Sequence, residues 1–233
     1  MRAVVFLFVT TVLLSCNNEQ AATPEITLPV EDSATVRTKF AEMVKFYGDP
    51  NSVYRNEDSL LVLLQQQLQS RWYSNLEKEA IQKRLTLTQQ NWVGQPANDF
   101  VFLQPNGKRK SLYAVKADYV LLFFYNPECG ACKEMKEKIV KSEILKSKVQ
   151  SGKLKVVAIY TDLDEVIWRK HLPDMPTLWV HGRDEGEYLW KNRVYDLRAI
   201  PTVYLLDREK RVVLKDCMEV SLIEDILNGK TVN

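Results

Sequence analysis

From Val36 onward the apolar positions recur with a helical period. In "VRTKFAEMVKFY", Val36, Phe40, Met43, Val44 and Tyr47 share one face, the i, i+4, i+7 spacing of an amphipathic helix. Gly48, Asp49 and Pro50 end it. "SLLVLLQQQLQ" places Leu60, Leu61, Leu63, Leu64 and Leu68 on a second helix. Ser74 followed by Glu77 predicts a capping box that opens a third, through about Gln89. Residues 35–90 thus read as a small all-α unit. Its apolar stripes are core, and no residue there suggests chemistry.

The period changes at Trp92. Short alternating runs around Pro105–Gly107 predict a hairpin. "DYVLLFFY" (118–125) carries a continuous apolar run after its Asp, and "LKVVAIY" (154–160) is apolar but for Lys155, the pattern of strands buried on both faces. Between them "CKEMKEKIVKSEIL" predicts one helix with Met135 and Ile139 inward. "LDEVIWRKHL" and "EYLWKNRVY" predict two more. "TVYLLD" and "RVVLK" flank "REK" as an antiparallel hairpin, and "SLIEDILN" closes with a helix. Strand, helix, strand and a late hairpin imply a mixed sheet flanked by helices, an α/β class.

The first residues follow neither pattern. "MRAVVFLFVTTVLLSC" has one basic residue and then an apolar stretch from Ala3 to Leu14, too short to span a bilayer, which takes about 20 residues. It reads as a signal peptide over residues 1–15. Leu13-Leu14-Ser15-Cys16 resembles a bacterial lipobox, in which Cys16 carries the lipid. Residues 16–34, polar with Pro24 and Pro29, read as a flexible tether. The expected location is the cell envelope, lipid-anchored and facing the periplasm. Asn17, where some lipoproteins carry an inner-membrane retention Asp, favours the outer membrane.

Composition adds little except by exclusion. The 233 residues are 45% hydrophobic and 27% charged with a net charge of +2, so no basic excess points to nucleic acid. Cysteine usage is more telling. With Cys16 assigned to lipid, Cys129 and Cys132 form a CxxC pair and Cys217 is left over. The pair follows a strand and opens a helix. Cys129 therefore sits where free N–H groups and the helix dipole favour negative charge, and the thiolate is the reactive form. Cys132, one turn on, is placed to resolve a mixed disulfide formed at Cys129. A zinc site needs four ligands, and Cys217, His171 and His181 are scattered singly. Haem attachment needs a His where Lys133 stands. No metal or cofactor is expected.

"GQPANDFVFLQPNGK", "YVLLFFYNPECGACKEM" and "YDLRAIPTVYLLD" resemble the thioredoxin-like thiol–disulfide oxidoreductases of the TlpA/ResA type in their bacterial lipoprotein form, over about Trp92 to Gly229. The resemblance implies a thioredoxin-like domain, placed at 91–233. It implies Cys129 as nucleophile and Cys132 as resolver, a redox-active Cys129–Cys132 disulfide, and a cis Pro201. With Ile200, Pro201 would then meet an extended substrate strand. Protein thiols and disulfides are the implied partners, with electrons from a membrane donor. Two departures stand out: Phe123 occupies the place of thioredoxin's buried Asp, and Met135 the place of a reductase-type acid. The alternatives are a thioredoxin-fold binding module with structural cysteines, or a peroxidase. The latter lacks the Pro-x-x-x-Thr-x-x-Cys stretch that peroxiredoxins need. Cys217 is expected to be a buried apolar residue, with a third redox thiol as the alternative.

Overall fold

Two strands decide the architecture because, apart from Lys155, every residue in them is apolar or aromatic. The computed structural model describes residues 33–50, 52 and 54–230; the signal peptide, Cys16 and all but the last two residues of the tether lie outside them. β3 (Tyr119–Tyr125) and β4 (Leu154–Tyr160) pair in parallel, Tyr119 opposite Leu154 through Tyr125 opposite Tyr160. Side chains alternate across a strand, so Leu121, Phe123 and Tyr125 enter one core while Val120, Leu122 and Phe124 enter the other. Both faces of each strand are thus covered, the setting in which a strand reads as a near-continuous hydrophobic run.

Around this pair the sheet is completed in the order β2-β1-β5-β4-β3-β6-β7. β1 (Val101–Leu103) and β2 (Arg109–Ser111) are the expected hairpin around Gly107. β6 (Thr202–Leu206) runs antiparallel to β3, and β7 (Val212–Leu214) follows it around Asp207–Arg211. One face of the sheet is covered by α4 (Gly130–Lys141), α5 (Glu143–Gln150) and α8 (Val220–Leu227), which supply Met135, Ile139, Leu145 and Ile223.

Three elements differ from the sequence expectation. The helix after the cysteines breaks at Ser142, which ends α4 and caps α5 by accepting from the Leu145 N–H at 3.1 Å. "EYLWKNRVY" forms a single turn, α7 (Tyr188–Lys191), since Gly186, Glu187 and Arg193 all have positive φ. A further strand, β5 (Val180–Arg183), carries Gly182 where a Cβ would lie 2.3 Å from the Phe102 ring. With no side chain at that position the strand loses half of its alternation signal. α6 (Glu165–His171) forms as expected, and its Trp168 is fully buried.

The helical unit comprises α1 (Ser33–Gly48), α2 (Glu57–Gln69) and α3 (Asn75–Gln89). Its core gathers Val36, Phe40, Val44, Leu60, Leu63, Leu64 and Leu85. The capping box is present: Ser74 N–H donates to Glu77 Oε2 at 2.8 Å, and Glu77 N–H to Ser74 Oγ at 3.4 Å. Lys215, just past β7, ties this unit to the sheet. Its side chain is 6% exposed, and its ammonium meets Glu57 at 2.9 Å and the carbonyls of Thr88 and Gln90 at 2.7 and 3.0 Å. Arg55 bridges Glu57 and Asp216 beside it.

The dithiol site at the end of strand β3

The chain leaves β3 at Tyr125 and turns sharply before α4 begins. Asn126 organises that turn. Its Oδ1 accepts from Glu128 N–H at 2.8 Å, its carbonyl from Cys129 N–H at 3.1 Å, and its Nδ2 donates to Asp162 at 3.2 Å. An Asn directly before Pro127 is a turn signal, and sequence reasoning passed over it.

Cys129 is the N-cap of α4. Its Sγ accepts from the Cys132 N–H at 3.3 Å, one of the helix N-terminal donors left free by the geometry of a helix start. The sulfur also approaches the Ile200 carbonyl oxygen at 3.7 Å. Cys129 is partly exposed; Cys132 is 2% exposed. Both are free thiols in this structure, as is Cys217. Burial first, then the hydrogen bond with Cys129, pushes the Cys132 thiol up to about 12.

The Ile200–Pro201 peptide is cis. Thr202 Oγ donates to the Ala199 carbonyl at 2.7 Å and braces the turn. Ile200 lies just outside β6, and among the described residues no backbone carbonyl accepts from its N–H. The turn thus places the partly exposed Ile200 beside the partly exposed sulfur.

Behind the pair, Cys132 shares its core with Phe123 and Met135, both fully buried. Phe123 stacks on Tyr125 at 5.3 Å and meets Trp179 edge-on at 6.3 Å. The two positions at which an acid would be matched are therefore aromatic and aliphatic wall. Glu128, beside Cys129 in the chain, is exposed. A cleft of about 290 Å³ reaches Cys132 from the other side, bounded by Tyr125, Pro127, Lys136, His171 and Met175. His171 Nδ1 lies 3.1 Å from Asp174 Oδ2 at its rim. Nothing in the spacing of His171 announced that placement.

Cys217 is fully buried. Its N–H donates to Val203 and its thiol to the Glu219 carbonyl at 3.5 Å, the position of a small apolar core residue. His181 is held by the Pro176 carbonyl at 2.9 Å. Among the described residues no three His, Cys, Asp or Glu side chains gather as metal ligands.

A family model described as thioredoxin-like matches residues 117–212. The crystal structure of a thioredoxin-like protein from Bacteroides caccae is 36% identical with a TM-score of 0.81, covering 86% of this chain and 72% of that one. The C-terminal domain of an uncharacterized protein from Bacteroides fragilis is 39% identical with a TM-score of 0.57, covering 59% of this chain and 98% of that one. Nucleoredoxin from Danio rerio is 28% identical over 127 residues, which are 53% of this chain. The match spans only 30% of that relative's length.

Proposed function

The chain belongs to the thioredoxin-like family, and on that premise we propose that it is a thiol–disulfide oxidoreductase that reduces or isomerises protein disulfides through Cys129 and Cys132. The observation that carries the reading is the asymmetry of the two thiols. One is partly exposed at a helix start beside the cis-proline turn, and the other is buried one turn on.

The chemistry follows from that asymmetry. Cys129, as thiolate, attacks one sulfur of a substrate disulfide. The substrate S–S bond breaks, a Cys129–substrate bond forms, and the departing thiolate takes a proton. Cys132 then gives up its proton and attacks the Cys129 sulfur. The mixed disulfide breaks, the Cys129–Cys132 disulfide forms, and the second substrate thiolate leaves and is protonated. Two electrons have passed from the dithiol to the substrate. A reductant must return them, and a membrane thiol donor is the proposed source. Isomerisation needs no net electrons, since the released thiol re-pairs elsewhere in the substrate.

The Ile200 backbone suits an extended substrate segment that adds edge-on, so that recognition rests on main chain and tolerates varied side chains. Cys16 is the proposed lipid anchor, with the protein facing the periplasm from the outer membrane. No helix among the described residues is long and apolar enough to cross a membrane. Replacing Cys16 by Ala should release the protein from the membrane fraction. If the processed variant stays bound, the anchor is elsewhere.

The decisive assay is reduction of insulin by the purified protein with a small dithiol as donor. Activity lost in Cys129→Ser supports the reading. An inactive wild type whose Cys129–Cys132 pair does not cycle between dithiol and disulfide would assign the fold to a binding role. The redox state of the pair in cells gives the direction: mostly reduced marks a reductase or isomerase.

A further inference from the structure

The second feature with chemical character lies away from the thiols, where α3 faces α7 and the segment leading to β6. A cleft of about 620 Å³ opens there, within the range of about 300–1,000 Å³ usual for small-molecule sites. Its lining includes Lys83, Arg84, Lys191, Arg193 and Arg198 against a single carboxylate, Asp196.

The internal compensation is incomplete. Arg198 takes both oxygens of Asp196, Nε to Oδ1 at 2.7 Å and Nη2 to Oδ2 at 2.6 Å. Lys191 meets Glu187 at 3.4 Å. Lys83, Arg84 and Arg193 have no carboxylate partner among the described residues. Arg84 is the most constrained. Its guanidinium packs on the end of α1, where a Cβ on Gly48 would lie 2.5 Å from Nη2, and its buried Nε has no hydrogen-bond partner. Burial, then the adjacent Arg198, lowers its proton affinity, and Asp196 offsets this only in part. The Gly48 carbonyl, which accepts from Arg198 at 3.5 Å, is a neutral acceptor at a helix end that carries only about half a charge. A partly buried cation whose nearest carboxylate is already taken up by Arg198 is costly, and an oxyanion from solution would offset that cost.

We infer that this cleft binds a small polyanion, a molecule carrying two or more phosphate or carboxylate groups. Guanidinium forks match both groups in bidentate geometry. Trp190, half exposed in the same lining, offers a flat apolar face to the body of such a ligand. The inference does not depend on thiol chemistry, and its test reads binding alone.

The test is calorimetric titration of the full-length protein with pyrophosphate and, separately, citrate, against a matched chloride control. Saturable binding of at least one probe, with a dissociation constant below about 1 mM, is expected. The probe that binds assigns phosphate or carboxylate. Lys83→Gln with Arg193→Gln, neither of which removes a folding contact, should weaken it at least about fivefold, as should raising salt from about 0.05 to 0.5 M. Arg84→Gln should weaken it further, provided its melting curve stays cooperative; otherwise the double variant decides alone. Absence of saturable binding by either probe up to about 10 mM, or unchanged affinity in the double variant, would overturn the inference.

Discussion

The Cys129 sulfur stands 3.7 Å from the carbonyl oxygen of Ile200, the residue joined to Pro201 by a cis bond. The two residues are 71 positions apart in sequence, brought together because β3 and β6 are neighbours in the sheet. The end of β3 delivers the thiol, and the start of β6 delivers the turn. A substrate strand laid against the Ile200 backbone would thus present its own disulfide to the one exposed sulfur of the pair.

From this pairing comes a prediction about trapping. Cys132→Ser retains the proposed attacking thiol and removes the proposed resolving one, so mixed disulfides with substrates should accumulate in intact cells. Cys129→Ser should trap none. Non-reducing electrophoresis of both variants reads the difference, and adducts on Cys129→Ser alone would reverse the two roles.

Reactivity should be split between the thiols even in the absence of substrate. Burial, then the hydrogen bond with Cys129, holds the Cys132 thiol at about 12, so it stays protonated at pH 7. Iodoacetamide on the reduced native protein should label Cys129 and spare Cys132 and Cys217, with all three labelled after unfolding. Peptide mass mapping checks this; equal labelling of Cys129 and Cys132 would contradict the burial described.

Lys215→Met keeps the aliphatic stem and removes the ammonium that joins Glu57 to the carbonyls of Thr88 and Gln90. Those groups remain largely buried without their partner. A loss of about 2–4 kcal/mol is expected, read as a lower urea midpoint. Proteolysis between α3 and β1 should become faster, because the helical unit is no longer tied down. A variant as stable as wild type would mean that the Arg55 bridge alone holds the units together.

Asp184 gives a pH signature. It is 2% exposed, accepts from the Leu189 N–H at 3.0 Å through one oxygen and leaves the other unpartnered. Burial lifts its carboxyl from 3.8 to about 6. Because the folded-state value is raised, its stabilisation is complete below the unfolded value and is lost as pH rises through about 6. Asp184→Asn keeps the acceptor and removes the charge. It should be more stable than wild type at pH 7.5, by on the order of 2 kcal/mol, and equal to it near pH 4. Melting curves across that interval should converge on acidification; parallel curves would exclude the titration.

Some of this protein was determined locally. The apolar runs of β3 and β4, the capping box at Ser74 and Glu77, the Gly107 hairpin and the CxxC pair at a strand-to-helix junction rest on near neighbours in sequence, and the sequence alone specified them. The motifs around Cys129 and Pro201 also implied which thiol meets which turn. Other features depended on distant contacts. The Phe102 ring occupies the space beside Gly182, so β5 loses half of the alternation that would mark it. Positive φ at Glu187 and Arg193 reduced a helical pattern to one turn. His171 reached the rear of Cys132, and Lys83, Arg84 and Arg193 reached one cleft, because the sheet order and the docking of the helical unit placed separate segments together. Periodicity reports which face a residue turns inward; only the packed chain decides what that face meets.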